Sequence, residues 1–280
     1  MRISRKSFLA VAAAATLALA GCSNGDSGSS TSDADSAPEG DVTTLTVGAS
    51  PAPHARILKF IDDELAADNG IKLEIKEYTD YVIPNEALKS GDLDANFYQT
   101  VPYLEEQSEA LDLDFTPGSG IHLEPLALYS EKFDDVNDLP DGATIGIISD
   151  TQNQARALGL LATAGLVELP ESGDVNIFTV EKIKDIEFTE VEPAQLVRSL
   201  QDVDAAVING NYAQEGGLTP ADDGLVVEAT EDNPNVNVLV WRSEDNDSEA
   251  IKTLEELLHS PEVKQFIEQT WPDGSVIPAF

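Results

Sequence analysis

The chain has one cysteine in 280 residues, Cys22. That excludes a disulfide framework and any cysteine-ligated zinc site. Histidine is almost as scarce. His54, His122 and His259 lie far apart, and none has the i+4 spacing of a helical His-Glu-x-x-His metal site. Basic residues number 16 against 52 acidic ones, for a formal net charge of −36. A surface so acidic excludes nucleic acid or an anionic lipid face as the main partner. After Phe8–Ala20 no apolar run approaches the roughly 20 residues that span a bilayer as a helix. There is no Gly-x-Ser-x-Gly nucleophile elbow. Gly118-Ser119-Gly120 lacks the third glycine of a dinucleotide loop. Asp92-Leu93-Asp94-Ala95-Asn96 opens like a calcium loop, but Phe97 stands at the sixth position, where glycine is required. That stretch reads instead as a helix-end turn entering a strand. With so many carboxylates, a hydrolytic acid pair stays open at this level.

What is present begins with an export signal. Arg2, Arg5 and Lys6 precede the apolar Phe8–Ala20 run, and small residues follow at once. We read residues 1–21 as a leader. The junction Leu19-Ala20-Gly21-Cys22 resembles the bacterial lipobox, in which the cysteine is lipidated and becomes the first mature residue; the simpler alternative is an ordinary cleaved signal. Residues 22–41 are rich in Ser, Gly and Asp and nearly free of apolar side chains. Such a segment cannot offset its ordering entropy, so it is expected to be a disordered tether with a span of about 25 Å, taking ~5–6 Å × √n. Removing the leader's three bases and then the tether's five acids takes the charge from −36 through −39 to −34 for residues 42–280. Any anion site there must be built locally against that field.

From residue 42 onward, strand and helix patterns alternate. Strands are expected at 44–47, 71–75, 126–129, 144–148, 205–208 and 236–240. Helices are expected at 54–66, 85–89 (stopped at Gly91), 101–111, 154–166 or from about Thr151, 193–200, 249–258 and 261–269. This alternation argues an α/β fold with mostly parallel sheets, whose ligands sit beyond the carboxyl ends of strands. Polar residues gather at such expected ends: Asp94-Ala95-Asn96, Ser149-Asp150 and Asn209-Gly210-Asn211. Taken singly, these are ordinary turn chemistry.

Several ordered motifs then go together. Tyr81-Val-Ile-Pro-Asn-Glu-Ala-Leu88 is followed by Gly91-Asp-Leu-Asp-Ala-Asn96, by Gln99 and by Pro102-Tyr103-Leu104. His122-Leu-Glu-Pro125 leads to Tyr129-Ser130, and Asp150, Asn153 and Arg156 precede Ala157-Leu158. Further on stand Ala194-Gln195-Leu196 with Arg198-Ser199-Leu200, Ala206-Val-Ile-Asn209, Tyr212-Ala213, Gly217-Leu-Thr-Pro220 and Pro234-Asn-Val-Asn237 before Arg242. Over nearly all of 44–270 the chain resembles the NlpA-type methionine-binding lipoproteins, the substrate-binding subunits of ABC importers.

The resemblance implies a two-lobed, type II, Venus-flytrap fold like that of the periplasmic binding proteins, with two crossings near His122–Pro125 and Asn235–Val238. Residues 42–122 and 238–280 would form lobe one and 123–237 lobe two. It implies a lipid-anchored protein on the outer face of the cell membrane, with Cys22 as the attachment point. Such a protein captures a free amino acid for an ABC permease and ATPase, without cofactor, metal or catalysis. A zwitterion needs a cation for its carboxylate, acceptors for its ammonium and an apolar slot for its side chain. Arg156 by spacing alone is a solvated helix charge; the resemblance makes it the carboxylate ligand, in the first turn of its helix. Asn209, Asn237 and Asn153 read as caps or turn residues by position and as ligands by resemblance. Tyr81, Tyr98 and Tyr103 read either as core or as the side-chain slot, where aromatic rings suit a thioether. His122 beside Glu124 faces the cleft or forms a hinge pair.

Departures bear on the ligand. Ser149-Asp-Thr-Gln-Asn153 replaces the Asn-Asp-Pro-Thr-Asn of many relatives, and Thr100 stands where a histidine is expected. Methionine, another apolar amino acid and a short methionyl peptide all fit these residues. An exported lipid-anchored hydrolase using two acids about 5–10 Å apart, and a surface lipoprotein that kept the fold without transport, are the competing readings.

Overall fold

The computed structural model describes residues 42–280, so the expectations for the leader, the tether and Cys22 lie outside the described residues. Two sheets organise the chain. The first has six strands in the order β13-β4-β12-β3-β1-β2: β1 (Thr43–Ala49), β2 (Ile71–Glu77), β3 (Ala95–Thr100), β4 (Phe115–Leu123), β12 (Val236–Arg242) and β13 (Ile277–Pro278). The second has five in the order β11-β5-β10-β6-β9: β5 (Ala127–Tyr129), β6 (Thr144–Ile148), β9 (Glu187–Val191), β10 (Ala205–Ile208) and β11 (Gly224–Val227). A small ribbon pairs β7 (Val167–Glu168) with β8 (Glu181–Lys182). The chain passes from the first sheet to the second between Leu123 and Ala127 and returns between Val227 and Val236.

Around the first sheet lie α1 (Arg56–Glu64), α2 (Ile83–Ser90), α3 (Val101–Leu111), α8 (Glu249–Leu258) and α9 (Pro261–Thr270). With the second go α4 (Thr151–Thr163), α5 (Leu196–Ser199), α6 (Gly210–Glu215) and α7 (Pro220–Asp223). Each sheet has its own apolar core. Val47, Ile57, Phe97, Leu239, Leu254 and Ile267 belong to one. Leu128, Ile145, Leu158, Leu161 and Val207 belong to the other. Each such side chain is worth ~1.5–3 kcal/mol on full burial.

Local chemistry sets the helix ends. Thr100 accepts from the Tyr103 amide and starts α3. Asp150 accepts from the Asn153 amide and starts α4. Gly91, at φ 82°, ends α2 in the left-handed region where a side chain would be strained.

The expectation of mostly parallel sheets is corrected: both are mixed. β1–β2, β1–β3, β6–β10 and β6–β9 run parallel, while β12 runs antiparallel to both β3 and β4, and β5 antiparallel to β10 and β11. The cause is the crossings, because strands that bring the chain back between sheets insert beside outgoing ones. Three boundaries also shift. The helix expected from His54 begins at Arg56, after a turn at Pro51–Ala55 in which Ala52 is extended (φ −134°, ψ 141°). The helix expected over 193–200 is a 3-10 turn followed by the four residues of α5. Asp94-Ala95-Asn96 leads into β3, as the reading of a helix-end turn entering a strand has it, and does not end a strand: Asp94 accepts from the Thr46 amide, and Asn96 donates to Asn85.

Candidate ligand-binding site

Between the two sheets lies a small cavity, with about 30 Å³ of room for the centre of a water-sized sphere. Its walls come from loops and element ends of both sides. His54 enters from the turn before α1, Tyr81 from the β2–α2 loop, Tyr98 and Thr100 from the end of β3, and Tyr103 from α3. Asn237 comes from the start of β12 and Glu124 from the first crossing. Asn153 and Arg156 come from α4, and Asn209, Gly210 and Asn211 from the β10–α6 junction.

Three tyrosines give the cavity its aromatic surface. Tyr98 and Tyr103 both donate their hydroxyls to the Tyr81 carbonyl, at 2.9 and 3.2 Å. Tyr81 in turn donates to Asn211 Oδ1 at 2.6 Å. The three rings sit 5.9–6.3 Å apart. With their polar tips committed to protein, they offer the cavity mainly ring surface. Burial raises the Tyr81 and Tyr98 phenols well above their ordinary value, so both stay neutral.

The rest of the lining is mainly polar. Asn209 Nδ2 donates to Asn153 Oδ1 at 3.1 Å, and Asn153 Nδ2 donates to Asp150 Oδ1 at 2.9 Å. Asn209 Oδ1 and Asn211 Nδ2 are buried with no protein partner. An orphan acceptor and an orphan donor at one cavity wall are expensive unless something polar meets them. Gly210 is required here because a Cβ at that position would lie 2.6 Å from Glu124 Cβ.

Glu124 is buried among two histidines. His122 Nε2 is 2.9 Å from its Oε1 and His54 Nε2 is 3.4 Å away, while His54 Nε2 also meets Asn237 Oδ1 at 3.0 Å. Desolvation pushes the Glu124 carboxyl up to about 7 against the pull of His54 and Arg156. The same burial drives His54 down to about 4 and His122 down to about 3, so both imidazoles are neutral at neutral pH. The two histidines and Glu124 could in principle ligate a metal. The Nδ1 atom of His122, however, lacks the outer partner that orients a ligating imidazole.

Seven of the eight expected ligand residues line this cavity: Arg156, Asn237, Asn209, Asn153, Tyr81, Tyr98 and Tyr103. His122 does not reach it; it stands behind His54 at a centroid distance of 4.9 Å and braces Glu124. Arg156 is the sixth residue of α4 and so sits in the second turn, not the first. It is not a solvated charge either, being 9% exposed and paired with Glu228. His54, Asn211 and the cavity-facing role of Glu124 were not legible. The sequence places His54 only at the start of an expected helix, and Asn211 only within the Asn209-Gly210-Asn211 cluster at an expected strand end.

The model of the NlpA lipoprotein family matches residues 45–280. The chain belongs to that family. The methionine-binding lipoprotein MetQ of Bacillus subtilis is 38% identical over 241 residues, covering 84% of this chain and 87% of its own. The solved structure of a protein from Actinomyces odontolyticus superposes with a TM-score of 0.84 at 66% identity, covering 86% of this chain and 100% of that one. A nutrient-binding protein of Burkholderia cenocepacia, solved bound to methionine, superposes at 0.81 with 35% identity over 84% of this chain and all of its own. The NlpA family member described here therefore has the α/β architecture of the periplasmic substrate-binding proteins.

Proposed function

We propose that the protein captures a free amino acid, methionine foremost, and hands it to an ABC importer without catalysing a reaction on it. The observation that carries this is the make-up of the cavity lining. Arg156, the orphan Asn209 and Asn211 atoms and Glu124 supply polar and charged groups, and three tyrosine rings supply aromatic surface. Arg156 and Asn237 hold the ligand carboxylate and backbone, with Asn153 and Asn209 completing the polar shell. Glu124, flanked by His54, accepts from the ammonium. Tyr81, Tyr98 and Tyr103 enclose the thioether, where each sulfur–ring contact adds ~0.3–1.5 kcal/mol.

Glu124 is the one carboxylate among the described residues lining the cavity, which favours binding over a two-acid hydrolase. Residues 42–122 with 238–280 act as one lobe and 123–237 as the other, closing about the two crossings. Cys22 carries the lipid that keeps the domain on the outer face of the cell membrane near its permease and ATPase.

A thermal-unfolding scan of the 42–280 domain against all twenty amino acids in both chiral forms tests the reading. Methionine at a hundredfold excess over Kd should stabilise by about 2.7 kcal/mol. No shift with any amino acid would overturn it.

A further inference from the structure

The Arg156 guanidinium is held on two of its three nitrogens. Its Nε donates to Glu228 Oε1 at 2.8 Å, and one Nη donates to Glu228 Oε2. That same Nη also reaches the Glu124 carbonyl at 3.1 Å. The other Nη has no protein acceptor among the described residues, and Arg156 lines the cavity. Glu228 is itself fixed, since its Oε2 accepts from the Leu126 amide at 3.0 Å. It thus ties α4 to both crossings, the first at Leu126 and the second at its own position. Arg156 also lines a second cavity, together with Glu228, so the guanidinium forms part of the wall between the inner site and that groove.

Resting on the amino-acid reading above, we propose that Glu228 is a positioning residue for ligand binding. By gripping one edge of the Arg156 guanidinium, it sets the remaining edge toward the ligand carboxylate. A bidentate grip fixes both the plane and the rotation of a guanidinium, which a single bond cannot do. It also neutralises Arg156, so the carboxylate is recognised by an aimed donor rather than by a bare buried charge. Burial pushes the Glu228 carboxyl up, but the hydrogen bonds and charge of Arg156 outweigh it and leave it below its ordinary value. The grip is therefore in place at neutral pH.

The alternative is that Glu228 competes with the ligand for Arg156, or merely braces the crossings. Calorimetric titration of the parent, Glu228→Gln and Glu228→Asp with L-methionine and with L-methioninamide, which lacks the carboxylate, separates these. Glu228→Gln keeps the acceptor for Leu126 and loses the charged fork. Glu228→Asp keeps the charge but draws it back by one methylene, and it carries the test if the Gln variant does not fold. Each should weaken methionine about tenfold, equivalent to about 1.4 kcal/mol. Methioninamide should change less than about twofold. In an Arg156→Lys background the Gln substitution should cost less than in the parent, because an ammonium has no planar edge to aim.

Equal losses for both ligands would mean a bracing role only and would overturn the proposal. Tighter methionine binding would overturn it in favour of competition, and unchanged binding would overturn it outright. A parent that binds neither ligand would remove the amino-acid reading and this inference together.

Discussion

Glu124 is the residue whose chemistry is most sensitive to conditions. Its carboxyl is pushed up to about 7 by burial, so in the free protein it holds its proton across much of the range from its ordinary value to neutrality. A raised carboxyl lowers folding stability as pH climbs from about 4.5 to about 7, because the unfolded chain gives up the proton first. The two histidines act the other way. Held neutral and depressed to about 4 and about 3, they withdraw stability as pH falls below 6.5, where the unfolded chain takes up protons that the native one refuses. Among these three groups the two histidines outweigh the one carboxyl, so their joint contribution to stability falls on acidification below 6.5. On the proposed placement of the ligand ammonium beside Glu124, binding requires the carboxylate, so below about 7 each capture should expel a proton. Methionine affinity should then rise with pH by up to about tenfold per unit from 5.5 to 7 and flatten above. Glu124→Gln should bind weakly with a flat profile. Calorimetry across pH 5.5–8 reads both, and a flat profile in the parent would place the ammonium elsewhere.

At the scale of elements, the sequence displayed helices better than strands. Helices α3 and α8 fall where apolar spacing and caps placed them, at Val101–Leu111 and Glu249–Leu258. Strand β4 did not announce itself. Phe115–Leu123 contains Pro117, Gly118 and Gly120, which usually mark turns. It is a strand because β12 and β13 pair on either side of it, a long-range cause that no local window contains. Strand β9 is similar: Glu187–Val191 carries two glutamates and pairs at the sheet edge with β6. Helix α4 shows how an element serves the site. Asp150 caps it through the Asn153 amide and also holds the Asn153 side chain, which braces Asn209. Asp150→Ala should therefore do two things. It should cost about 1 kcal/mol of stability from the lost cap, seen as a melting temperature lower by roughly 2–4 °C. It should also weaken ligand binding through Asn153, whereas Ser260→Ala, capping α9 far from the cavity, should lower stability alone. Binding by Asp150→Ala equal to the parent would mean the amide chain is not part of the site.

At the scale of the whole molecule, much of the cavity could be read in advance, because its residues fall in ordered motifs whose spacing carries the family resemblance. What could not be read is the way opposite sides meet, since that depends on closure and not on local sequence. Two hydrogen bonds span the cleft in reciprocal fashion: Tyr81 donates to Asn211 Oδ1 at 2.6 Å, and Tyr212 donates to the Thr79 carbonyl at 3.0 Å. Thr79 and Tyr81 sit in the β2–α2 loop, while Asn211 and Tyr212 sit in α6. Such bonds exist only when the two sides are together, so they bias the closed form whether or not a ligand is bound. Each is worth about 1 kcal/mol net. An apparent ligand affinity scales with the fraction of protein in the binding-competent state. Tyr212 does not line the cavity, so Tyr212→Phe removes one clasp bond without touching the ligand. If the free protein rests mainly open, the loss passes fully into affinity, a weakening of about fivefold; if it rests mainly closed, the population moves first, and solution scattering should show a larger radius of gyration without ligand. Tyr129→Phe is the control, because its hydroxyl is buried in the second core with no partner and its loss should alter neither quantity. Parent-like affinity together with an unchanged radius in Tyr212→Phe would show that closure is driven by ligand contacts alone.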